Sequence, residues 1–191
     1  ITPSPGRTIS TTADATHFSN CSGKITLDHC YFELQKDDHT NIHGIYARMT
    51  RQIAADTVEL RLVHPQQFGF DFAVPGARLE LVHAPGMEDY GEARVLSAER
   101  INKEYTRVRF DRPLPAEWTE GDVVADLDAA PEVHIHHCTF RGNRARGLLL
   151  GSRGKTIIED NTFHTPGAAI LLEGDACFWY EQSGVRDLVV R

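Results

Sequence analysis

The chain has 191 residues, 41% of them hydrophobic, and a formal net charge of −7. That apolar content is enough to bury a core, which sets disorder aside. The acidic balance argues against a nucleic-acid partner, which calls for a basic face, and no apolar run approaches the ~20 residues of a membrane helix.

Ile1 is not followed by a basic stretch and an apolar run, so no signal peptide is expected within this chain. The close on Leu188-Val189-Val190-Arg191 reads as the middle of a strand, which suggests a piece of a longer protein. Near the start, Asp14-Ala15-Thr16-His17 has the same form as Asp38-His39-Thr40-Asn41, and the two are 24 residues apart. A polar motif recurring at such a period places side chains turn above turn on one face of a coil.

Three segments then align. Ile25 to Phe32, Val133 to Phe140 and Thr156 to Phe163 each open with apolar or β-branched residues, a strand signal. Each reaches Cys30, Cys138 or Asn161 and a Phe two residues later. Phe18 with Asn20-Cys21-Ser22-Gly23 is a partial earlier copy, and Leu188 begins a later one. A repeat of about 23 residues holding short β runs predicts a right-handed parallel β-helix. Inward residues then form apolar ladders, and an inward Asn is expected to bond the backbone of the next turn. An α/β fold needs helical crossovers of a dozen or more residues, and none is readable between the repeats. Cys30 and Cys138 occupy equivalent positions and are expected to stack inside as small apolar groups, with a disulfide the alternative. No Cys or His spacing matches a zinc site, so neither a metal nor a cofactor is expected.

Between the first and second repeats the texture changes. Short alternating runs at 58–63, 78–82, 92–96, 106–110 and 122–126 are punctuated by Pro75-Gly76, Pro85-Gly86 and Glu120-Gly121. They predict a small antiparallel barrel inserted in a loop. The expected organisation is therefore all-β: coils over 1–52, a barrel over 53–130, and coils over 131–191.

The candidate chemistry follows each Phe. Asp37 and Asp38 sit side by side, and Arg146 falls at the Asp38 position of the next coil, six residues after Phe140. There it can pair with that carboxylate or grip a sugar hydroxyl. His43 stands where later coils carry Gly151 and Gly174. The third coil ends on Leu171-Leu172-Glu173-Gly174-Asp175, with Trp179 close behind, where an aromatic face can stack on a sugar ring. The reading for Asp37 and Asp38 competes with a simple turn, since Asp readily bonds its own backbone. Asp38, Glu173 and Asp175 are the expected catalytic carboxylates; Asp37, His43, Arg146 and Trp179 are the expected substrate contacts. These residues are expected to share one cleft.

The run from Asp37 to Gly44, the stretch from Leu171 to Trp179 and the inserted barrel together resemble glycoside hydrolase family 110. The resemblance covers most of the chain. It implies an exo-acting, inverting α-1,3-galactosidase on a right-handed parallel β-helix, acting on terminal α-1,3-linked galactose. It also implies an extracellular or periplasmic protein much longer than this chain, and it marks Asp175 and Trp179 as substrate-contacting. Inversion requires an acid and a base about 6.5–9.5 Å apart. Carboxylates two coils apart are separated by roughly 9–10 Å. Which acts as acid and which as base is left open, as is the oligomeric state. The rival readings are a polysaccharide lyase or polygalacturonase-like enzyme, which favours a basic cleft, and a non-catalytic carbohydrate-binding or structural module.

Overall fold

A computed structural model describes residues 1–191. The chain is all-β apart from one short 3-10 turn at Pro65–Gln67. The strands in chain order are β1 Thr16–Ser19, β2 Lys24–Asp28, β3 Tyr31–Glu33, β4 Thr40–Ala54 and β5 Thr57–Arg61. After these come β6 Arg78–His83, β7 Glu88–Arg100, β8 Tyr105–Phe110, β9 Val123–Asp126, β10 Glu132–His136, β11 Thr139–Arg141 and β12 Leu148–Leu150. The last are β13 Thr156–Glu159, β14 Thr162–His164, β15 Ile170–Leu171, β16 Glu181–Gln182 and β17 Leu188–Val190. No helix is long and apolar enough to cross a membrane.

The chain divides into two compact units. One comprises Ile1–Gly44, Ala130–Gly174 and Ser183–Arg191; the other comprises Ile45–Ala129 and Asp175–Gln182. The sequence placed the insertion at 53–130. The difference at its start arises because β4 runs unbroken from Thr40 to Ala54, with no Gly or Pro after Gly44 to punctuate it.

In the first unit, successive turns of chain stack as parallel strands. β2, β10, β13 and β17 form one sheet, and β3, β11 and β14 a second. In a third, β1 and β12 flank the start of β4, and β15 pairs with β12. The registers follow the repeats: Phe32↔Phe140↔Phe163, and Thr16↔Thr40 at the 24-residue offset. Because equivalent positions stack, the three Phe rings form a ladder, with centroids 5.2 and 4.9 Å apart and planes nearly parallel. They pack with Ile25, Leu27, Ile42, Ile135, Leu148 and Leu150 in one apolar core.

The corners are held by side chains. Asn161 Nδ2 donates to the Ile135 carbonyl and its Oδ1 accepts from the Cys138 N–H, both at 2.8 Å. This stitches one turn of chain to the turn before it. The four cysteines are free. Cys138 is buried, and its Sγ accepts from the Cys30 N–H at 3.4 Å. Cys30 and Cys138 thus stack without a disulfide.

One register departs from the Phe-based alignment. Phe140 pairs with Phe163, 23 residues on, but Leu148 pairs with Ile170, only 22 on. The third turn of chain is one residue shorter between its Phe and its next strand. Continuing that register brings Glu173, rather than Gly174, opposite Gly151.

The second unit is a closed antiparallel barrel. The strand order is β4-β5-β8-β7-β6-β9, and β9 returns to pair with β4 at Tyr46↔Ala125. Closure leaves no free edge among these strands. Met49, Val58, Leu79, Leu81, Val108 and Phe110, with no measurable exposure, fill the interior. The sequence found five of the six barrel strands. It missed the second half of β4, which the preceding buried residues disguise as part of the coil.

Candidate functional site

Asp38 is the best-anchored candidate. Its side chain is 1% exposed. Arg146 Nε donates to Oδ1 and Nη2 to Oδ2, both at 2.7 Å, and the Arg146 amide donates to Oδ1 at 2.9 Å. A two-pronged, charge-assisted pair of this kind is strong and directional, and it raises the Arg146 pKa through the Asp38 hydrogen bond. It forms because the β4–β12 register sets residue 146 opposite residue 38, and the His39 amide donates to the Arg146 carbonyl.

Two further acids converge here. The Asp38 amide donates to Asp14 Oδ1 at 3.1 Å. One carboxylate oxygen each from Asp14, Asp37 and Asp38 lie within 4.8 Å of one another. Asp37 is the open member, 40% exposed, with Oδ1 3.3 Å from Arg144 and 4.0 Å from Arg146. Its backbone is held by Asn143, whose Nδ2 donates to the Asp37 carbonyl at 2.9 Å and to the Arg146 carbonyl at 2.6 Å. Glu173 is exposed at the end of the third strand and makes no ion pair. Its charge nevertheless acts on the Arg146 guanidinium. By register the position opposite Arg146 is residue 168, so Glu173 lies several residues further along.

His43 departs from expectation. It was read as a substrate contact, but it is 7% exposed. Its Nδ1 donates to the Gly44 carbonyl at 2.6 Å, and its Nε2 meets His17 Nε2 at 2.6 Å. His17 Nδ1 in turn meets Asp14 Oδ2 at 2.9 Å. Burial, foremost, lowers the His43 pKa to about 4, so the ring is neutral near pH 7. With Nδ1 occupied by a proton, Nε2 of His43 accepts from His17 Nε2–H. His43 therefore belongs to a buried relay behind Asp14.

His39, beside Asp38, faces the other way. It is fully buried between Phe32 and Phe140, with Nδ1 against Gln35 Oε1. Burial lowers its pKa to about 4, against the opposing pull of Asp38. The folded value lies below the unfolded one, so the unfolded state binds the proton first as pH falls. His39 is thus expected to cost about 3 kcal/mol of stability as pH falls from about 6.5 to about 4, levelling off below, and His43, lowered to a similar value, adds to the same slope. Urea midpoints across this range check it. His39→Phe should lessen the slope without abolishing it, and an unchanged slope would remove His39 as a cause.

Asp175 and Trp179, expected in the same cleft, belong to the barrel unit. Asp175 closes a turn. Its Oδ1 accepts from the Cys177 amide at 2.6 Å and from Phe178 at 3.0 Å, and its Oδ2 accepts from the Trp179 amide. Burial works to raise its pKa, but these bonds outweigh it and hold the carboxyl at about 2. A carboxylate so stabilised is a poor proton donor and a weak base, so the structure gives Asp175 a shaping task. The segment is anchored by Tyr180, 1% exposed. Its carbonyl accepts from the Tyr46 amide at 2.9 Å and from Gln67 Nε2 at 3.1 Å, and its hydroxyl accepts from Arg48. Trp179 is left 48% exposed, with its ring 5.0 Å from His64.

Comparison with known proteins agrees with the barrel. Residues 57–124 match the family described as GLAA-B beta-barrel domain II. The chain is 38% identical over 191 residues to alpha-1,3-galactosidase A of Bacteroides fragilis, covering 99% of this chain and 32% of that protein. It is 40% identical over 187 residues to alpha-1,3-galactosidase A of Shewanella woodyi, covering 97% and 31%. It is 39% identical over 196 residues to alpha-1,3-galactosidase B of Phocaeicola vulgatus, covering 97% and 32%. The chain thus spans about a third of the length of the curated relatives it matches.

Proposed function

We propose, from a resemblance to glycoside hydrolase family 110 that holds over nearly the whole chain, that the protein containing this segment releases terminal α-1,3-linked galactose from glycans. The carrying observation is the convergence of Asp14, Asp37 and Asp38 on one sheet, with Arg146 linking them electrostatically to Glu173. Within that group Asp38 is committed to Arg146 and Asp14 to His17, which leaves Glu173 and the half-exposed Asp37, paired only with exposed Arg144 and more distantly Arg146, as the carboxylates open to substrate. An inverting pair needs a wide separation, since a water must be admitted between its two carboxyls. One protonates the departing oxygen and the other activates that water. Exposed Trp179 offers an apolar face of the kind that stacks on a sugar ring.

The stacked parallel registers support a right-handed parallel β-helix as the frame, since parallel crossovers overwhelmingly take that hand. We place the protein outside the cytoplasm, extracellular or periplasmic, where glycans are met.

The test is NMR of the full-length protein with an α-1,3-galactosyl disaccharide. Galactose should appear, as the β-anomer first. The α-anomer first would refute inversion; an unsaturated product, or cleavage of polygalacturonate instead, would assign the protein to the lyase or polygalacturonase class. No release from any of these would leave a binding module.

A further inference from the structure

The sheet of β2, β10 and β13 carries a second cluster. At the end of each of these strands two polar residues stack on those of its neighbour: Asp28-His29, His136-His137 and Glu159-Asp160. The second of each pair, His29, His137 and Asp160, has a left-handed backbone with φ of 52°, 55° and 53°. A non-glycine residue there costs on the order of 1 kcal/mol, and here it recurs at three successive corners. The bend turns these side chains outward, so the His29 and His137 rings stack 4.7 Å apart with planes 2° from parallel.

His136 Nδ1 lies 3.3 Å from Asp28 Oδ1 and 3.0 Å from His137 Nδ1. A neutral imidazole has either one proton or one lone pair at Nδ1, and a single proton serves only one of these contacts well. Asp28 Oδ1 also meets His29 Nδ1, so two ring nitrogens and this oxygen crowd together and no single proton at His136 Nδ1 serves both of its contacts well. Ligand atoms held about 2.0–2.2 Å from a common ion at tetrahedral to octahedral angles stand about 2.8–3.6 Å apart. The two spacings at His136 Nδ1 fall in that span, and one ligand atom from each of the three residues lies within 4.8 Å of the others.

We propose that Asp28, His136 and His137 bind a divalent first-row transition-metal ion through Asp28 Oδ1 and the two histidine Nδ1 atoms. Imidazole with one carboxylate suits Zn²⁺ or Cu²⁺ rather than Ca²⁺ or Mg²⁺. The carboxylate of Asp160 stands 3.8 Å from His137 Nε2, on the side of the ring away from the proposed ion. Asp28 and His137 are about half exposed, so the remaining coordination positions face water. The site joins residues 108 apart in sequence, which is why no zinc spacing was readable. It lies on a different sheet from the acid cluster and does not depend on the proposed hydrolysis.

The test is zinc chloride titration of the chelator-treated full-length protein by calorimetry, with electron paramagnetic resonance of the Cu²⁺ form. One saturable ion per chain with two nitrogen ligands is expected. His137→Ala and Asp28→Asn should each weaken that ion by about tenfold or more, while circular dichroism and the urea midpoint confirm that both variants fold. Saturable binding unchanged in both folded variants, or no saturable binding of either metal, would overturn the proposal.

Discussion

Asp37→Asn in the full-length protein is expected to lower kcat/KM for an α-1,3-galactosyl disaccharide by about 10³-fold, or about 4 kcal/mol of transition-state stabilisation. The carboxamide keeps the shape of the side chain and leaves the bond from Asn143 to the Asp37 carbonyl in place. What it removes is the group that exchanges a proton. Asp37 pairs with Arg144, itself 67% exposed, and an exposed pair contributes only about 0–1 kcal/mol to folding. The urea midpoint should therefore hardly move, which separates a chemical loss from an unfolding loss. Asp175→Asn is the companion measurement. An amide oxygen still accepts from one of the turn amides, so activity should fall far less and stability should move more. If Asp37→Asn stayed within about tenfold of the wild type while Asp175→Asn lost about 10³-fold, the acid–base work would belong to the barrel unit.

The largest stability effect is expected at Arg146. Arg146→Met removes both prongs from a carboxylate that is 1% exposed, leaving only the backbone amide at 2.9 Å. Stripping one partner from a buried pair typically costs 3–5 kcal/mol. Arg146 is about a third exposed, so water screens part of the interaction, and about 2–4 kcal/mol is expected here. That is a large share of a domain's usual 5–15 kcal/mol. The double variant Asp38→Asn/Arg146→Met should be less destabilised than the sum of its parts, because the uncompensated charge is gone. Additive costs in urea denaturation would mean the two groups are not coupled.

Much of the frame was legible in the residues. Phe32, Phe140 and Phe163 recur because each turn of chain must bury one ring on the next, and a buried ladder imposes its period on the sequence. Asn161 was readable as a stitch because an inward amide has only backbone to bond. Thr16 and Thr40 gave the first register. Five barrel strands showed through alternation and through Pro and Gly at their ends. The acids Asp37, Asp38 and Glu173 stood out as candidates because nothing apolar explains them.

The tertiary structure decided the rest. It carried β4 past Gly44 into the barrel, since a strand buried in both units shows no change of texture at the boundary. It shortened one register from 23 to 22 residues, a slip invisible without the pairing itself. It showed Asp38 held by Arg146, His43 withdrawn into a relay with His17, and Asp175 and Trp179 placed in the barrel unit by the buried Tyr180. It also brought Asp28 to His136 and His137. Periodicity reports which way a side chain points along its own strand; it carries no record of which distant strand lies alongside. That is set by backbone hydrogen-bond register and by a few buried anchors, and these determine which polar groups meet.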